Sequence, residues 1–285
     1  MFTRWGKFWI AATAVSLLLW DLRWLYGNIL TVYTTLASPS MVTSLDPLRF
    51  WVDRVLTGFV GNTVRLAGPA IGIVVLFLLW KPNPAPFDVV KRKVSVALVC
   101  EASYWLLVLP ISLIELLSIG RSVLLEVAFV IQILVASPML IILAAKIWIA
   151  TESNRANTLK WAALTGLGYL VGIWCNNVFR WFSMAQITSI AFILTGTTGV
   201  GFVSALAPLS ISLFFAFLSF HTLFGKQNAI TAIRMAGVSL VFLGLYYVLY
   251  LIYSAVTNSL SFVFLVEFWP VTVLGLGVGM LRGKI

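Results

Sequence analysis

Long apolar stretches recur along this chain from Phe8 to Met280, and the segments between them are short and mostly basic. A helix crosses the hydrocarbon core of a bilayer, about 30 Å thick, with roughly 20 mainly apolar residues. Hydrophobic residues make up 61% of the chain and charged residues only 10%, a composition that is not typical of soluble domains. The sequence therefore predicts an all-α, polytopic bundle of membrane-spanning helices.

The chain is expected to form a single transmembrane domain over residues 1–285, because no segment between the apolar stretches is long and polar enough to make a separate core. The first apolar stretch follows Arg4 and Lys7, as in a signal peptide, but it lacks a small-residue cleavage site and runs into Asp21 and Arg23. We interpret it as an uncleaved first span.

Eight spanning helices are predicted from the hydropathy pattern. They cover residues 8–30, 63–80, 94–119, 122–150, 161–179, 202–224, 235–256 and 260–281. The segment 185–201 is ambiguous because it ends in a Gly- and Thr-rich sequence. Three interpretations are open for this segment: a re-entrant segment that lines a pore or cavity, a short polar turn between tilted helices, or part of a ninth span.

The distribution of basic residues favours eight spans over nine. Eight spans place most of the 19 Lys and Arg residues on the side of both termini, whereas nine divide them almost equally. Since Lys and Arg accumulate in cytoplasmic loops, we expect cytoplasmic N- and C-termini and the cell (plasma) membrane as the location. The same residues predict contact with anionic lipid on the cytoplasmic face.

Residues 46–60 have the pattern of an amphipathic helix. Asp46 suits the N-cap and Pro47 the first helical position. Apolar residues fall on one face and charged residues on another, respectively Leu48, Val52, Val55 and Phe59, and Arg49, Asp53 and Arg54. We expect this interfacial segment either to lie along the outer membrane surface or to form a cap packed over the bundle.

Ionisable residues inside spans are the strongest functional indicators, because each costs at least about 2.5 kcal/mol at mid-bilayer unless it is paired or hydrated. Glu101 is expected in the inner half of its span, and Asp21 and Arg23 in the outer half. Glu115 is expected at the depth of Glu126. A polar or proton pathway is predicted, with carriers Glu101, Glu115, Glu126 and Glu267 and counter-charges Arg121 and Arg180.

A structural role for the same acids is the alternative. Glu115 would then be neutralised by Arg121, and Glu101 by Lys146, since long basic side chains reach toward the interface. Such neutralising pairs would explain the acids without any transported ion or solute.

Enzymatic chemistry is not expected from this sequence. It contains one histidine, His221, and no zinc-protease, nucleophile-elbow, phosphate-loop or dinucleotide motif, so we predict neither a metal nor a cofactor. Two functions remain: a channel or secondary transporter for a small solute or ion, and a non-catalytic subunit of a larger membrane assembly. Membrane lipids, and in the second case other membrane subunits, are the expected partners; nucleic acid is not.

Overall fold

A computed structural model describes residues 3–37, 47–81, 85–117, 123–187, 197–225, 228–257 and 268–283. Within these ranges the regular structure is entirely helical. The main helices are α1 (Arg4–Leu36), α2 (Pro47–Trp80), α3 (Phe87–Leu117), α4 (Val123–Trp148), α5 (Arg155–Ile187), α6 (Thr197–Phe224), α7 (Ala229–Thr257) and α8 (Trp269–Leu281). A single 3₁₀ turn, Glu152–Asn154, precedes α5.

The predicted helical membrane bundle is confirmed, because a helix is present at each of the eight predicted spans. Six helical stretches are long and apolar enough to cross a bilayer: Arg4–Leu36, Pro47–Trp80, Phe87–Leu117, Phe129–Trp148, Leu206–Phe224 and Ala229–Leu249. Helix α8 is apolar but shorter, with 13 residues. The chain is an integral membrane protein with multiple helical spans.

The ambiguous segment 185–201 falls partly outside the described residues, which omit 188–196. Its two ends belong to helices, since α5 continues to Ile187 and α6 begins at Thr197. The stretch between these two helices is much shorter than the roughly 20 residues that a further span requires. The three interpretations of residues 185–201 therefore stay predictions.

Helix α2 differs from the prediction of a separate amphipathic helix. Residues Pro47–Phe50 are α-helical, Trp51–Gly61 are π-helical, and Asn62–Trp80 are α-helical again, without a break. At both junctions, Phe50 and Gly61 keep right-handed helical torsions, because no helix-stopping residue intervenes. The described part of the amphipathic segment is thus continuous with the helix that contains the second predicted span.

The π-helical part of α2 packs against α3. Thr57 Oγ1 donates a hydrogen bond to the carbonyl oxygen of Leu107 over 3.1 Å. Val52 packs against the buried cluster of Val108, Ile111 and Ile133. Of the two predicted placements for residues 46–60, packing on the bundle describes these contacts, although the segment flanks α3 rather than capping it.

Contacts divide the chain into two compact units, of which the first comprises residues 17–149. Helix α3 packs against both α2 and α4. Ser95 Oγ donates to the carbonyl oxygen of Ala144, and Ser137 Oγ to that of Ala102. Small and hydroxylated residues let membrane helices approach closely and bond across the interface, so these pairs join α3 to α4 along their length.

The second unit comprises residues 1–16 and 150–285. Its helix α7 packs against α6 and α8, and its α5 packs against α6. Gly237 and Gly277 place the backbones of α7 and α8 so close that a Cβ on Gly277 would lie 2.7 Å from the carbonyl oxygen of Gly237. Tyr246 of α7 donates a 2.7 Å hydrogen bond to the side-chain oxygen of Asn177 in α5.

Candidate functional site

Arg65 of α2 lies between two carboxylates from other helices in the first unit. Its Nε atom is 3.4 Å from Oδ1 of Asp21 in α1 and 3.6 Å from Oε2 of Glu101 in α3. The Asp21 side chain is only 4% exposed, whereas Arg65 and Glu101 are about a quarter exposed, at 25% and 26%. We call Asp21, Arg65 and Glu101 the Arg65 cluster.

Two aromatic residues of α3 hold the Arg65 cluster in place. Trp105 Nε1 donates to Oε1 of Glu101 over 3.1 Å, because the two residues are one helical turn apart. The guanidinium carbon of Arg65 lies 4.8 Å from the centre of the Tyr104 ring, within cation–π range. Glu101 and Arg65 are thereby each oriented by a neighbour other than the opposite charge.

The Arg65 cluster lies in the interior of its helices. At 1.5 Å per residue, Glu101 is roughly 21 Å from the start of α3 and 24 Å from its end. The sequence places Glu101 in an inner half and Asp21 in an outer half, but both contact Arg65 and therefore share one level. The difference arises because α3 begins at Phe87, earlier than predicted.

The Arg65 cluster has one more acidic group than basic groups. With both carboxylates ionised its net charge is −1. Among the described residues, Oδ1 of Asp21 receives no hydrogen bond, so its contact with Arg65 is an ion pair without hydrogen-bond geometry. A buried carboxylate oxygen in this situation favours a bound proton, cation or water molecule.

No protein-family model, curated protein or solved structure matches this chain. The contacts of the Arg65 cluster are therefore the basis for inferring its function.

The predicted pathway residues are not all brought together. Glu101 belongs to the Arg65 cluster, and Glu115 forms an ion pair with Arg49, at the start of α2. Glu126 and Arg180 lie on α4 and α5, but their side chains are outside the described residues. Arg121 and Glu267 are outside the described residues altogether. A continuous pathway through all six residues thus stays a prediction.

Sequence reasoning missed two members of the Arg65 cluster. The sequence pattern marks Asp21 as an acid within a span but not as a site residue, and it does not single out Arg65. The sequence does contain a signal for Arg65, because this residue is a charge just inside the predicted span 63–80. Its two partners depend on the rotation of three helices about their axes, which the sequence pattern alone does not determine.

Proposed function

We propose that this protein moves protons across the membrane, as a channel or as a secondary transporter that carries a small solute or ion with them. In this proposal the Arg65 cluster binds the transported proton. The observation that supports it is the sharing of one guanidinium by two carboxylates within membrane-spanning helices.

The charge of the Arg65 cluster is the physical reason for the proposal. A structural ion pair is neutral with one acid and one base, so the second carboxylate is unnecessary for neutralising Arg65. A charge at mid-bilayer costs about 2.5–3.5 kcal/mol on insertion scales. Binding one proton makes the cluster neutral and removes much of this penalty. Loaded and unloaded forms then differ in electrostatic energy, as a proton carrier requires.

The three residues have different roles in this proposal. Asp21 is the proton-binding carboxylate, because it is the most buried and its Oδ1 accepts no described hydrogen bond. Glu101, oriented by Trp105, is the second carboxylate, which exchanges the proton with Asp21 or with water. Arg65 is the shared counter-charge that keeps one carboxylate ionised.

The test is proton flux in liposomes that contain the purified protein and a trapped pH-sensitive dye. A potassium gradient with valinomycin supplies the membrane potential. We expect the wild-type protein to acidify or alkalinise the lumen according to the sign of the potential. Asp21→Asn and Glu101→Gln should reduce the flux to that of protein-free liposomes, because each removes a proton-binding carboxylate.

Asp88→Asn is the matched control. Asp88 is also a carboxylate paired with a base, Lys91, but it is 70% exposed at the start of α3. Flux should be unchanged in this variant. The proposal would be contradicted by an absence of proton flux in the wild-type protein. It would also be contradicted if Asp21→Asn and Glu101→Gln kept the flux of the wild-type protein.

The orientation proposed with this function has both termini in the cytoplasm and the protein in the cell membrane. It rests on the positive-inside rule, since the basic residues near Lys91 and those at both termini then lie on one side. Anionic lipid of the cytoplasmic leaflet is the proposed partner of these residues.

A subunit of a larger membrane assembly is the second proposed function. Tyr26 and Tyr33, two turns apart and hence on one face of α1, are 67% and 70% exposed. Tyrosine combines an apolar ring with a hydroxyl that seeks a partner, so this face suits another membrane chain. Purification from native membranes tests it: a stable, stoichiometric partner lost in a Tyr26→Ala, Tyr33→Ala variant would support the subunit function.

A further inference from the structure

A second candidate site lies beside α1 and α2, separate from the Arg65 cluster. It is a cavity of about 260 Å³ lined by Arg23, Trp24, Gly27, Asn28, Thr31 and Arg54. This volume is just below the range of roughly 300–1,000 Å³ for small-molecule pockets, which suits a small ion or a headgroup. We call it the arginine cavity.

Helices α1 and α2 run antiparallel at this site. Asp21 is paired with Arg65, and seven residues further along α1, Asn28 approaches Gly58, seven residues earlier in α2. A Cβ on Gly58 would lie 2.8 Å from Oδ1 of Asn28, so the glycine leaves room for this close approach. The arginine cavity extends along α1 from Arg23 to Thr31, on the C-terminal side of Asp21.

The lining of the arginine cavity has the chemistry of an anion site. Among the described residues, its lining includes two arginines and no acidic residue. Asp53 contacts Nε of Arg54 over 3.1 Å, which orients a group that has five N–H donors in all. Asn28 donates one of its two amide hydrogens to the Trp24 carbonyl oxygen. Guanidinium groups match the oxygens of phosphate in two-pronged hydrogen bonds.

The depth of the arginine cavity agrees with this chemistry. Thr31, at one end of the arginine cavity, lies roughly 15 Å along α1 from Asp21, about half of the 30 Å thickness of the hydrocarbon core. With the Arg65 cluster at mid-bilayer, the Thr31 end of the cavity lies near the membrane interface, where lipid headgroups begin. The cavity is therefore accessible both to headgroups and to anions in solution.

We propose that the arginine cavity binds a phosphate-type oxyanion, with Arg23 and Arg54 as its charged ligands. The phosphate belongs either to a lipid headgroup or to a free anion, and the same two guanidinium groups recognise it in both cases. This site does not depend on proton movement by the Arg65 cluster.

Calorimetric titration of the purified full-length protein in an uncharged detergent tests the proposal. The probes are inorganic phosphate, a soluble short-chain phosphatidic acid, and the matching diacylglycerol, which lacks phosphate. We expect binding of a phosphate-bearing probe and none of diacylglycerol. Arg23→Gln and Arg54→Gln should each weaken affinity about tenfold, the loss of one charge-assisted contact. Lys81→Gln removes an equal charge elsewhere and should leave the affinity unchanged.

Gly27→Phe provides a steric test that keeps both arginines. Nothing lies within 4 Å of a Cβ built on Gly27, so the larger side chain is accommodated by filling the cavity. Binding should be lost while the protein stays monodisperse on size exclusion. Gly166→Phe is the matched control, because Gly166 of α5 also has nothing within 4 Å of its built Cβ. Its binding should match that of the wild-type protein.

Each outcome of the titration either identifies the source of the phosphate, a lipid or a free anion, or contradicts the proposed site. Binding of both phosphate probes identifies the phosphate group itself as the ligand. Binding of phosphatidic acid alone identifies a lipid headgroup, and binding of inorganic phosphate alone identifies a soluble anion. The proposal is overturned if neither phosphate probe binds, if diacylglycerol binds equally well, or if Gly27→Phe, Arg23→Gln and Arg54→Gln all bind like the wild-type protein.

Discussion

The Nε atom of Arg65 lies 3.4 Å from Oδ1 of Asp21, so an ion pair joins α1 to α2 within membrane-spanning helices. The same guanidinium also contacts Glu101 of α3. The Arg65 side chain thus links three helices through ion pairs. Replacing it leaves two carboxylates without their shared counter-charge.

Arg65→Gln is expected to destabilise the protein by about 3 kcal/mol, because removing one partner of a buried ion pair leaves uncompensated charge. Unfolding in mixed micelles at increasing concentrations of a denaturing detergent measures the change. Arg65→Lys, which keeps the charge, should be less affected.

The triple variant Arg65→Gln, Asp21→Asn, Glu101→Gln should recover most of the lost stability, since it retains no charge in the Arg65 cluster. If the triple variant is as unstable as Arg65→Gln, the loss is one of packing rather than of charge.

Glu115→Gln is expected to change stability by less than about 1 kcal/mol, because the Glu115 side chain is 13% exposed while Arg49, the charge that the variant leaves behind, is 45% exposed and stays hydrated. Proton flux in liposomes should also be retained, since Glu115 contacts Arg49 and does not belong to the Arg65 cluster. Flux lost in Glu115→Gln would instead support the sequence-based prediction that Glu115 is a carrier.

Gly277→Ala is expected to destabilise the second unit by about 1–3 kcal/mol, the usual cost of overpacking. Its added methyl group meets the carbonyl oxygen of Gly237, which belongs to the backbone of α7 and cannot rotate away. Gly166→Ala should be neutral or stabilising by up to about 1 kcal/mol, because its site is open and alanine favours helix. Thermal unfolding of the two variants side by side measures the difference.

Single-cysteine labelling tests the proposed orientation. In a background without Cys100 and Cys175, cysteines replacing the exposed residues Lys81 and Arg282 should react with an impermeant reagent from the cytoplasmic side. A cysteine at Ala37, after α1, should react only from the opposite side. Labelling of Lys81→Cys and Arg282→Cys from different sides would exclude an even number of spans between these positions and the predicted orientation with it.

The positions of the helices were predictable because hydropathy measures transfer into lipid, which dominates at every span. The ends of the helices were less predictable. Helix α3 begins at Phe87, although Asp88, Lys91 and Arg92 follow at once. These charges do not prevent helix formation, and the 2.6 Å ion pair between Asp88 and Lys91, three residues apart, stabilises the first turns. Hydropathy does not register such contacts.

The importance of Glu101 was predictable from the energetic penalty of a charge inside a span. Its partner was not, because Arg65 reaches it from another helix, and neither spacing nor composition specifies how α2 and α3 are rotated. The role of Trp105 was equally unpredictable. A tryptophan in a membrane helix usually lies at the membrane–water interface, whereas Trp105 donates a hydrogen bond to Glu101.

Two ion pairs, Arg65–Glu101 and Arg49–Glu115, join α2 to α3 near the middle of α3 and near its C-terminal end. Because both pairs cross the same seam, sliding α2 along α3 by one turn separates all four charges together. Helices α2 and α3 are therefore expected to keep their relative register, since a slide by one turn would break both contacts at once.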